Sequence, residues 1–459
     1  NFVSLSTDRK EWQARIAPRH NFTPSRPPST RQEAGKGCIQ RGISREDAVG
    51  SAGSCVPQFV RVLVAFILFA GCAAAGRTGE TSGGQPDAGK ATGAFAFSLY
   101  GSLKTTDGNL ILSPSSISSV LAMAYEGAKR STRTQMAQVL NFPLDRRQFH
   151  HQLSTGLVGA GSSSAQPGIR LSVANALWGQ AGHVFLEGFL SDLKQYHCSE
   201  LRVTDFSAQA ETARREINLW AEEKTGGIIR DLITQGVITS DTRLVLTNAI
   251  HFKGLWSSPF ARENTRPAPF FINPKKSLTV DMMDQTGDFR SLEADGAKVI
   301  EIPYAGKGHS MVVILPAEKG GLPDVESAFG PSTLETWMKD LFGRHPEQIH
   351  LRLPRFTMSA GFDLSGTLAG LGMPDAFDAR ADFSGMTGSR ELFIGNVIHR
   401  ASVEVDEEGS EAAAASAAVM TKSMPMTREF HADHPFIFLI RENQTGTVLF
   451  MGRAVDPRD

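Results

Sequence analysis

The sequence predicts an α+β fold from the order of its apolar patterns. Residues 95–103, 116–126 and 211–224 carry apolar side chains at helical spacing. Residues 244–252 form a nearly continuous apolar run, typical of a strand buried on both faces. Residues 298–316 contain two apolar runs around YAGKGH, a pattern that indicates a β-hairpin. Helices that come early and strands that come late favour α+β over a repeating parallel α/β fold.

The remaining elements follow from local signals. Residues 170–178 alternate like a strand, and residues 394–403 form an apolar strand that carries His399. Thr132 has Gln135 three positions later, which is the spacing of a capping box, so a helix is predicted to begin there and run through residue 140.

Composition indicates one large globular domain. The chain has 459 residues, of which 41% are hydrophobic, and its formal net charge is −1. That charge implies no polyanionic partner, so no nucleic-acid binding is expected. Beyond residue 90 the only linker-like stretch is residues 159–168, GAGSSSAQPG, which is short enough for a surface loop.

The first 75 residues differ from the rest. Residues 1–60 show no apolar periodicity and are interpreted as upstream sequence or an incomplete record, because the first methionine, Met123, lies inside apparent core. Residues 61–75 have the charged start, apolar centre and small-residue end of a signal peptide. The apolar run is too short for a membrane span, which needs about 20 residues. We therefore expect a secreted protein whose single domain is 76–459.

Cysteines and a glycosylation signal are consistent with this expectation. Three of the four cysteines precede residue 76, so Cys198 is the single cysteine of the expected mature chain and a disulfide framework is excluded for the monomer. Cys198 is interpreted as an incidental thiol, since no activating His/Asn constellation can be assigned to it. Asn443-Gln444-Thr445 is an N-glycosylation sequon, which has a use only in a secreted protein.

Residues 403–438 are the most informative stretch. An acidic hinge, a run of small residues, a polar segment and a strand follow one another there. Because alternate side chains of a strand face opposite ways, one face would carry only small groups: Ser410, Ala412, Ala414 and Ser416. Such a face suits a strand that inserts between two others, where overpacking costs about 1–3 kcal/mol per site. Gly409 provides the backbone freedom of a hinge.

A short surface helix is the alternative interpretation of SEAAAASAA. Alanine has the highest helix propensity, and Ser410 is a good N-cap residue. The alternating lead-in Val403-Glu404-Val405-Asp406 favours the strand.

The run EEGSEAAAAS and the later FHADHPF, residues 430–436, resemble the proximal hinge and C-terminal signature of the serpins, inhibitors that trap serine proteases covalently. The resemblance covers residues 95–457. It implies a serpin fold with three β-sheets, including a large central sheet A, eight to nine helices and an exposed reactive-centre loop at about 407–428. The hinge positions that it implies are Glu407, Glu408, Gly409, Ser410, Ala412, Ala414 and Ser416.

The resemblance also implies positions that control sheet opening. Residues 248–256, NAIHFKGLW, are similar to the strand and turn where the loop enters the sheet, and Trp256 matches the aromatic residue at this breach. A polar cluster, the shutter, would comprise Ser113, Ser116, Asn248 and His399. From the residues alone, His399 would be a satisfied core histidine and Trp256 ordinary core.

Motifs for other functions are absent or incomplete. Residues 84–90, GQPDAGK, nearly spell a phosphate loop, but Ala91 replaces the metal-binding hydroxyl. No GxSxG elbow occurs, and His345 and His350 do not form HExxH. No catalytic residue, metal or cofactor is therefore predicted.

Residues 146–151, RRQFHH, open a helix that binds glycosaminoglycans in some relatives, but such a charge run is more often a solvated face, so this binding is expected to be weak or absent.

The resemblance implies a suicide substrate that forms a covalent 1:1 complex with a serine protease and is otherwise a monomer, without a membrane or nucleic-acid partner. The alternative is a non-inhibitory serpin, a carrier or storage protein, although such a relative would normally break the small-residue hinge. A protease or other hydrolase would need a nucleophile and a base that cannot be assembled here.

The cleaved bond has three candidates. The family's spacing counted forward from Gly409 places it after Ser423, and counting back from Pro435 places it after Met424. The proline after Met424 makes that bond poor, because its ring removes an N–H. Lys422, one position before Ser423, offers a basic side chain. A trypsin-like target is expected if Lys422 is used, and an elastase-like target if Ser423 is used.

Overall fold

The computed structural model describes residues 88–142, 168–408 and 427–458. The predicted leader, the 146–151 segment and residues 409–426 lie outside these ranges. Predictions on those segments therefore stay predictions. The helices of the described ranges are α1 Ala88–Leu103, α2 Pro114–Gly127, α3 Arg130–Leu140, α4 Glu187–His197, α5 Phe206–Lys224, α6 Leu322–Ala328, α7 Pro331–Phe342, α8 Ser365–Gly370 and α9 Ser384–Thr387, with short 3-10 helices at Arg262–Asn264 and Pro374–Phe377.

The strands lie in the same described ranges. They are β1 Leu110–Leu112, β2 Ile169–Gln180, β3 Leu201–Thr204, β4 Leu244–Gly254, β5 Arg266–Asn273, β6 Lys276–Ala294, β7 Ala297–Pro303, β8 His309–Pro316, β9 Glu347–Pro354, β10 Phe356–Asp363, β11 Ile394–Val405, β12 Arg428–His431, β13 Phe436–Glu442 and β14 Val448–Ala454.

Three sheets result, two of which share a strand. The central sheet has the order β10-β11-β4-β2-β3. The C-terminal end of β6 pairs with β7 and continues into the sheet β7-β8-β13-β14-β1. The rest of β6 pairs with β5 and β9, and β12 pairs with β9. The predicted α+β fold with three sheets is confirmed.

Strands β4 and β11 lie in the middle of the central sheet and run parallel to each other. Their outer neighbours, β2 and β10, are antiparallel to them. In β4 every residue is buried except Lys253, which is half-buried, as expected for its nearly continuous apolar sequence. An extended segment running antiparallel to both strands could therefore pair with each of them if they moved apart.

Helix α2 lies beneath this sheet and is buried along its whole length except at Glu126. Ser113 caps it, since the Ser113 hydroxyl accepts a hydrogen bond from the Ser116 N–H at 3.4 Å. Pro114 occupies the first turn, where its missing N–H costs nothing. The sequence therefore places two serines of the predicted shutter at the helix end that meets the sheet.

The predicted capping box at Thr132 is wrong. Helix α3 begins at Arg130, and its N-cap, Lys129, makes no side-chain capping bond. The Thr132 hydroxyl instead accepts from the Asp382 N–H at 2.9 Å, and the Gln135 carbonyl oxygen accepts from the Asp375 N–H at 3.1 Å. Both side chains satisfy backbone groups that are distant in the sequence, a role that local spacing does not reveal.

The predicted strands and the hairpin are confirmed, with ends that differ by one or two residues. The predicted hairpin corresponds to β7 and β8, which pair antiparallel from Ala297 with Pro316 to Pro303 with Ser310. Within the described ranges, no helix is both long and apolar enough to cross a membrane.

Candidate functional site

The chain leaves the central sheet after Val405, and the next strand within the described residues, β12, begins at Arg428. Three acidic residues follow one another at this exit: Asp406, Glu407 and Glu408. Their backbone carbonyls are held individually. Phe260 N–H donates to the Glu407 carbonyl at 3.1 Å, and Trp256 N–H donates to the Glu408 carbonyl at 3.0 Å.

Trp256 lies directly against this exit. Its indole Nε1 donates to the Asp406 carbonyl at 2.7 Å, and its ring stacks on Tyr304 with centroids 4.6 Å apart. The side chain is 1% exposed. The family resemblance implies that Trp256 lies where the loop enters the sheet, and in the structure Trp256 contacts the hinge backbone through both of its N–H groups.

A lysine that the sequence analysis did not select organises the same exit. Lys253 Nζ lies 2.7 Å from a Glu404 oxygen, 2.7 Å from an Asp406 oxygen and 3.2 Å from a Glu408 oxygen. We call these four residues the hinge anchor. Burial alone would lower the pKa of Lys253, but its hydrogen bonds to the carboxylates outweigh burial and raise that pKa well above the ordinary value.

The anchor also affects its carboxylates. Burial would raise the pKa of Asp406, but the hydrogen bond from Lys253 and the one from the Glu408 N–H lower it overall. Lys253 and Asp406 are therefore both charged at neutral pH. Lys253 and Glu404 are direct neighbours in the register of β4 and β11, so the anchor also joins these two strands.

Glu407 turns away from Lys253 and is held separately. Its carboxylate accepts from the Thr265 hydroxyl at 2.8 Å and lies 3.9 Å from an Arg355 nitrogen. The residue is 6% exposed. Glu407 and Glu408, neighbouring positions of the predicted hinge, thus have different partners. Glu408 pairs with Lys253 on β4, and Glu407 is held near β5 and β10.

The predicted shutter residues come together under the middle of the central sheet. Ser113 N–H donates to His399 Nε2 at 3.2 Å, and the Ser113 hydroxyl donates to the Leu449 carbonyl at 2.6 Å. His399 Nδ1 faces the Asn248 carbonyl oxygen, and the Asn248 amide nitrogen donates to the Ser116 hydroxyl. A helix end is in this way connected to both parallel strands.

The contacts of His399 define its protonation. Because Nε2 accepts from a backbone N–H, the proton lies on Nδ1 and is donated to Asn248. The side chain is 0% exposed, and burial lowers the pKa of His399 to about 3. A proton on Nε2 would break the bond from Ser113, so the cluster is built for a neutral imidazole.

Asn175 belongs to the shutter but was missed. It accepts from the Asn248 amide and from the Ser116 hydroxyl, the latter at 3.3 Å. Asn175 and Asn248 are register partners across β2 and β4, and Asn248 and His399 are partners across β4 and β11. A polar row therefore crosses three strands. The local signal for it in β2 is that Asn175 interrupts small and apolar residues, but this signal does not reveal the partner of Asn175.

The predicted glycosylation site has a specific geometry. Asn443 Nδ2, the atom that would carry the sugar, donates to the Lys307 carbonyl at 3.1 Å and to the Ser310 hydroxyl at 2.8 Å. A glycan would replace these bonds, so it would have to be attached before this part of the chain folds.

The predicted reactive-bond residues Lys422, Ser423 and Met424 lie outside the described ranges, as do five hinge positions: Gly409, Ser410, Ala412, Ala414 and Ser416. Their assignments stay predictions.

Comparison with known proteins identifies the family. The model of the family "Serpin (serine protease inhibitor)" matches residues 90–457. A leukocyte elastase inhibitor from Sus scrofa is 40% identical over 79% of this chain and 97% of its own length. The structure of uncleaved ovalbumin is similar with a TM-score of 0.75 and 33% identity, covering 81% of this chain and all of ovalbumin.

A structure of thyroxine-binding globulin in complex with thyroxine is similar with a TM-score of 0.71 and 31% identity, covering 81% of this chain and 99% of the globulin. The family match spans most of the chain, and the sheets agree with the fold that the resemblance implies. The chain is therefore a member of the serpin family, in which relatives are named as protease inhibitors.

Proposed function

We propose that the protein is a secreted inhibitor of serine proteases that acts as a suicide substrate. The observation that carries this proposal is the parallel pairing of β4 and β11, with the acidic exit to the predicted small-residue segment at one end of that pair. The segment that follows the exit can turn back and run antiparallel to both strands at once, which the alternating small face predicted from Ser410 onward would permit.

The chemical step belongs to the protease. Its serine oxygen attacks the carbonyl carbon of the reactive bond, the C–N bond breaks, and the new amine takes the proton that the protease histidine had removed from the serine. The inhibitor remains attached as an ester through its new C-terminal residue. Insertion along β4, at about 3.3 Å per residue over about 14 residues, would carry the attached protease about 45 Å. Distortion of the protease then prevents water from attacking the ester, because the correct positioning of the protease's catalytic groups contributes much of the rate of ester hydrolysis.

The hinge anchor and the shutter oppose premature insertion. Separating β4 from β11 removes the Lys253–Glu404 contact and the Asn248–His399 hydrogen bond. A buried polar group left without a partner costs about 1–3 kcal/mol. Insertion becomes favourable only when cleavage releases a strand that replaces the lost backbone bonds.

The target is a serine protease with either of two specificities. The relative named leukocyte elastase inhibitor supports an elastase-like target, which corresponds to cleavage after Ser423. Lys422 supports a trypsin-like target, because a complementary acidic pocket would recognise its charge. Mass spectrometry of the released C-terminal peptide distinguishes the two, since the peptide would begin at Met424 in the first case and at Ser423 in the second.

The test of the mechanism is an incubation of the purified protein with elastase and, separately, with trypsin, followed by denaturing electrophoresis. We expect a complex that resists SDS. Ser410→Arg should convert the inhibitor into a substrate, because a buried unpaired guanidinium costs several kcal/mol. Ala413→Arg is the matched control, since strand alternation places residue 413 on the opposite face. Equal complex yields from both variants would contradict insertion.

A carrier function is the second candidate. The similar structure of thyroxine-binding globulin contains thyroxine, and a cavity of about 900 Å³ lies here beside the hinge exit, between Arg355 and the Glu404–Glu407 backbone. Cleavage of the loop without any SDS-stable complex, in every protease tested, would favour this candidate.

Secretion is proposed on the signal-peptide pattern of residues 61–75 and the sequon at Asn443. N-terminal sequencing of the protein released by an expressing eukaryotic culture should find a start near Gly76. Retention of the protein in the cells, or a folded product that keeps residues 1–60, would contradict it. Loss of mass on treatment with an N-glycosidase would establish the glycan.

A further inference from the structure

A cluster of histidines and carboxylates lies where the chain rejoins the sheets after the predicted loop. His350 is on β9, and Glu429 and His431 are on β12, the edge strand that runs parallel to β9. In this register Glu429 is opposite His350. Glu429 and His431 are two positions apart on a strand, so they share one face. The cluster shares no residue with the hinge anchor or the shutter and plays no part in the proposed mechanism.

The two imidazoles face each other through ring nitrogens. His350 Nδ1 and His431 Nε2 are 3.3 Å apart, and the ring planes are nearly perpendicular. Two nitrogens bound tetrahedrally to zinc at about 2.0–2.1 Å are separated by about 3.3–3.4 Å. The observed spacing is therefore the one that a shared metal requires. Without a metal, a single proton lies between the two nitrogens.

The other nitrogen of His350 is held by a carboxylate. His350 Nε2 lies 3.0 and 3.1 Å from the two Asp284 oxygens, and Arg352 Nε donates to Asp284 at 2.7 Å. Nε2 therefore carries the proton, and Nδ1 presents its lone pair to His431. A carboxylate that accepts from the distal N–H of a histidine is the usual support of a metal-binding imidazole.

A third ligand is within reach. Candidate ligand atoms of His350, His431 and Glu429 all lie within 4.8 Å of one another. The Glu429 carboxylate lies 3.9 Å from His431 Nδ1, and its side chain is 67% exposed, so it can rotate toward a cation held between His431 Nε2 and His350 Nδ1. The two histidines are about one-quarter exposed and are fixed by their strands. The site is open to solvent on this side, which provides an entry path and room for a water ligand.

We propose that His350, His431 and Glu429 bind one divalent transition-metal ion, Zn²⁺ by ligand type, at the solvent face of β9 and β12. Two imidazoles and a carboxylate match the ligands that zinc uses at open sites. His350 and His345 do not form HExxH, and the partner of His350, His431, is 81 residues further along the chain, so no local motif marks the pair. The bound metal would fasten the four-residue strand β12 to the sheet at the point where the chain returns from the predicted loop.

The test is titration of the untagged mature chain, expected to begin at Gly76, with Zn²⁺ alone, by calorimetry and equilibrium dialysis, in a Cys198→Ser background that removes the single cysteine of that chain. We expect one saturable site per chain. It should be lost in His350→Gln and His431→Gln and kept in His345→Gln, a control in which an exposed histidine of the same region is changed. Asp284→Asn should retain the site with affinity reduced about 10–100-fold.

A spectroscopic measurement keeps the test independent of the variants' folding. Co²⁺ added to the Cys198→Ser protein should give the visible absorption of a nitrogen- and oxygen-bound low-symmetry site, and Zn²⁺ should displace it stoichiometrically. Absence of saturable binding, or binding that survives both histidine changes, would overturn the proposal. Its failure would leave the protease-inhibition proposal untouched, because complex formation with a protease is measured without added metal.

Discussion

Replacing Lys253 with methionine tests the hinge anchor most directly. Methionine keeps the length and apolar stem of the side chain but removes the charge that three carboxylates share. Lys253 and Asp406 are each 17% exposed and their charged atoms lie 2.7 Å apart, so this hydrogen-bonded pair contributes about 1.5–3 kcal/mol. Glu404 and Glu408 are 36% and 40% exposed, and solvent screening limits each to less than about 1 kcal/mol.

The expected loss in the free energy of unfolding is therefore about 2–4 kcal/mol. Equilibrium unfolding in urea, followed by tryptophan fluorescence and circular dichroism, measures it. Arg262→Ala is the matched control, because Arg262 pairs with Glu408 at 3.1 Å but is 74% exposed, and the expected loss is less than about 1 kcal/mol. Equal losses for the two variants would show that the anchor does not depend on the buried Lys253–Asp406 pair.

Two further predictions concern the shutter and the breach. The unfolded protein binds a proton at His399 below about pH 6.5, whereas the native protein does so only near pH 3, so the free energy of unfolding falls as pH decreases through this window. His399→Gln should reduce the loss between pH 7 and pH 5.5 by about 1 kcal/mol. An identical pH dependence in the variant would contradict the assignment of a neutral His399. Trp256→Phe keeps the stacking on Tyr304 but removes the donor to the Asp406 carbonyl, so urea unfolding should show a loss of about 1–3 kcal/mol, against about 3–5 for Trp256→Ala. Similar losses in both Trp256 variants would show that packing is unimportant there.

The pairing of distant elements set the limit of what could be predicted from the sequence. Strands β4 and β11 were recognisable because a nearly unbroken apolar run and an alternating run are local patterns. Lys253 directly follows such a run, and no local pattern marks it as a functional residue. Its role depends on a parallel register that brings it beside Glu404, and register is not a local property.

The shutter residues also show that tertiary pairing is not encoded in local patterns. Four of its members could be named through the family resemblance, but Asn175 could not, because its partner Asn248 is reached only when β2 pairs with β4. The capping box predicted at Thr132 was wrong for a related reason. The Thr132 hydroxyl, which suits a local cap, instead accepts from the Asp382 N–H far along the chain. Polar side chains that serve tertiary contacts therefore carry little local signal.

The parallel pair of β4 and β11 also has a consequence for how the protein folds. Asn248 and His399, which meet across this pair, are 151 residues apart in the sequence. Loop-closure entropy must be overcome before so distant a contact forms, so this pairing is expected late in folding. The residues that immediately follow β11 are available far earlier as a hairpin partner for it. The described fold therefore forms only if β4 pairs with β11 before the residues that follow β11 do so. Substitutions in β4 should reduce the yield of correctly folded protein before they alter the lifetime of molecules already folded.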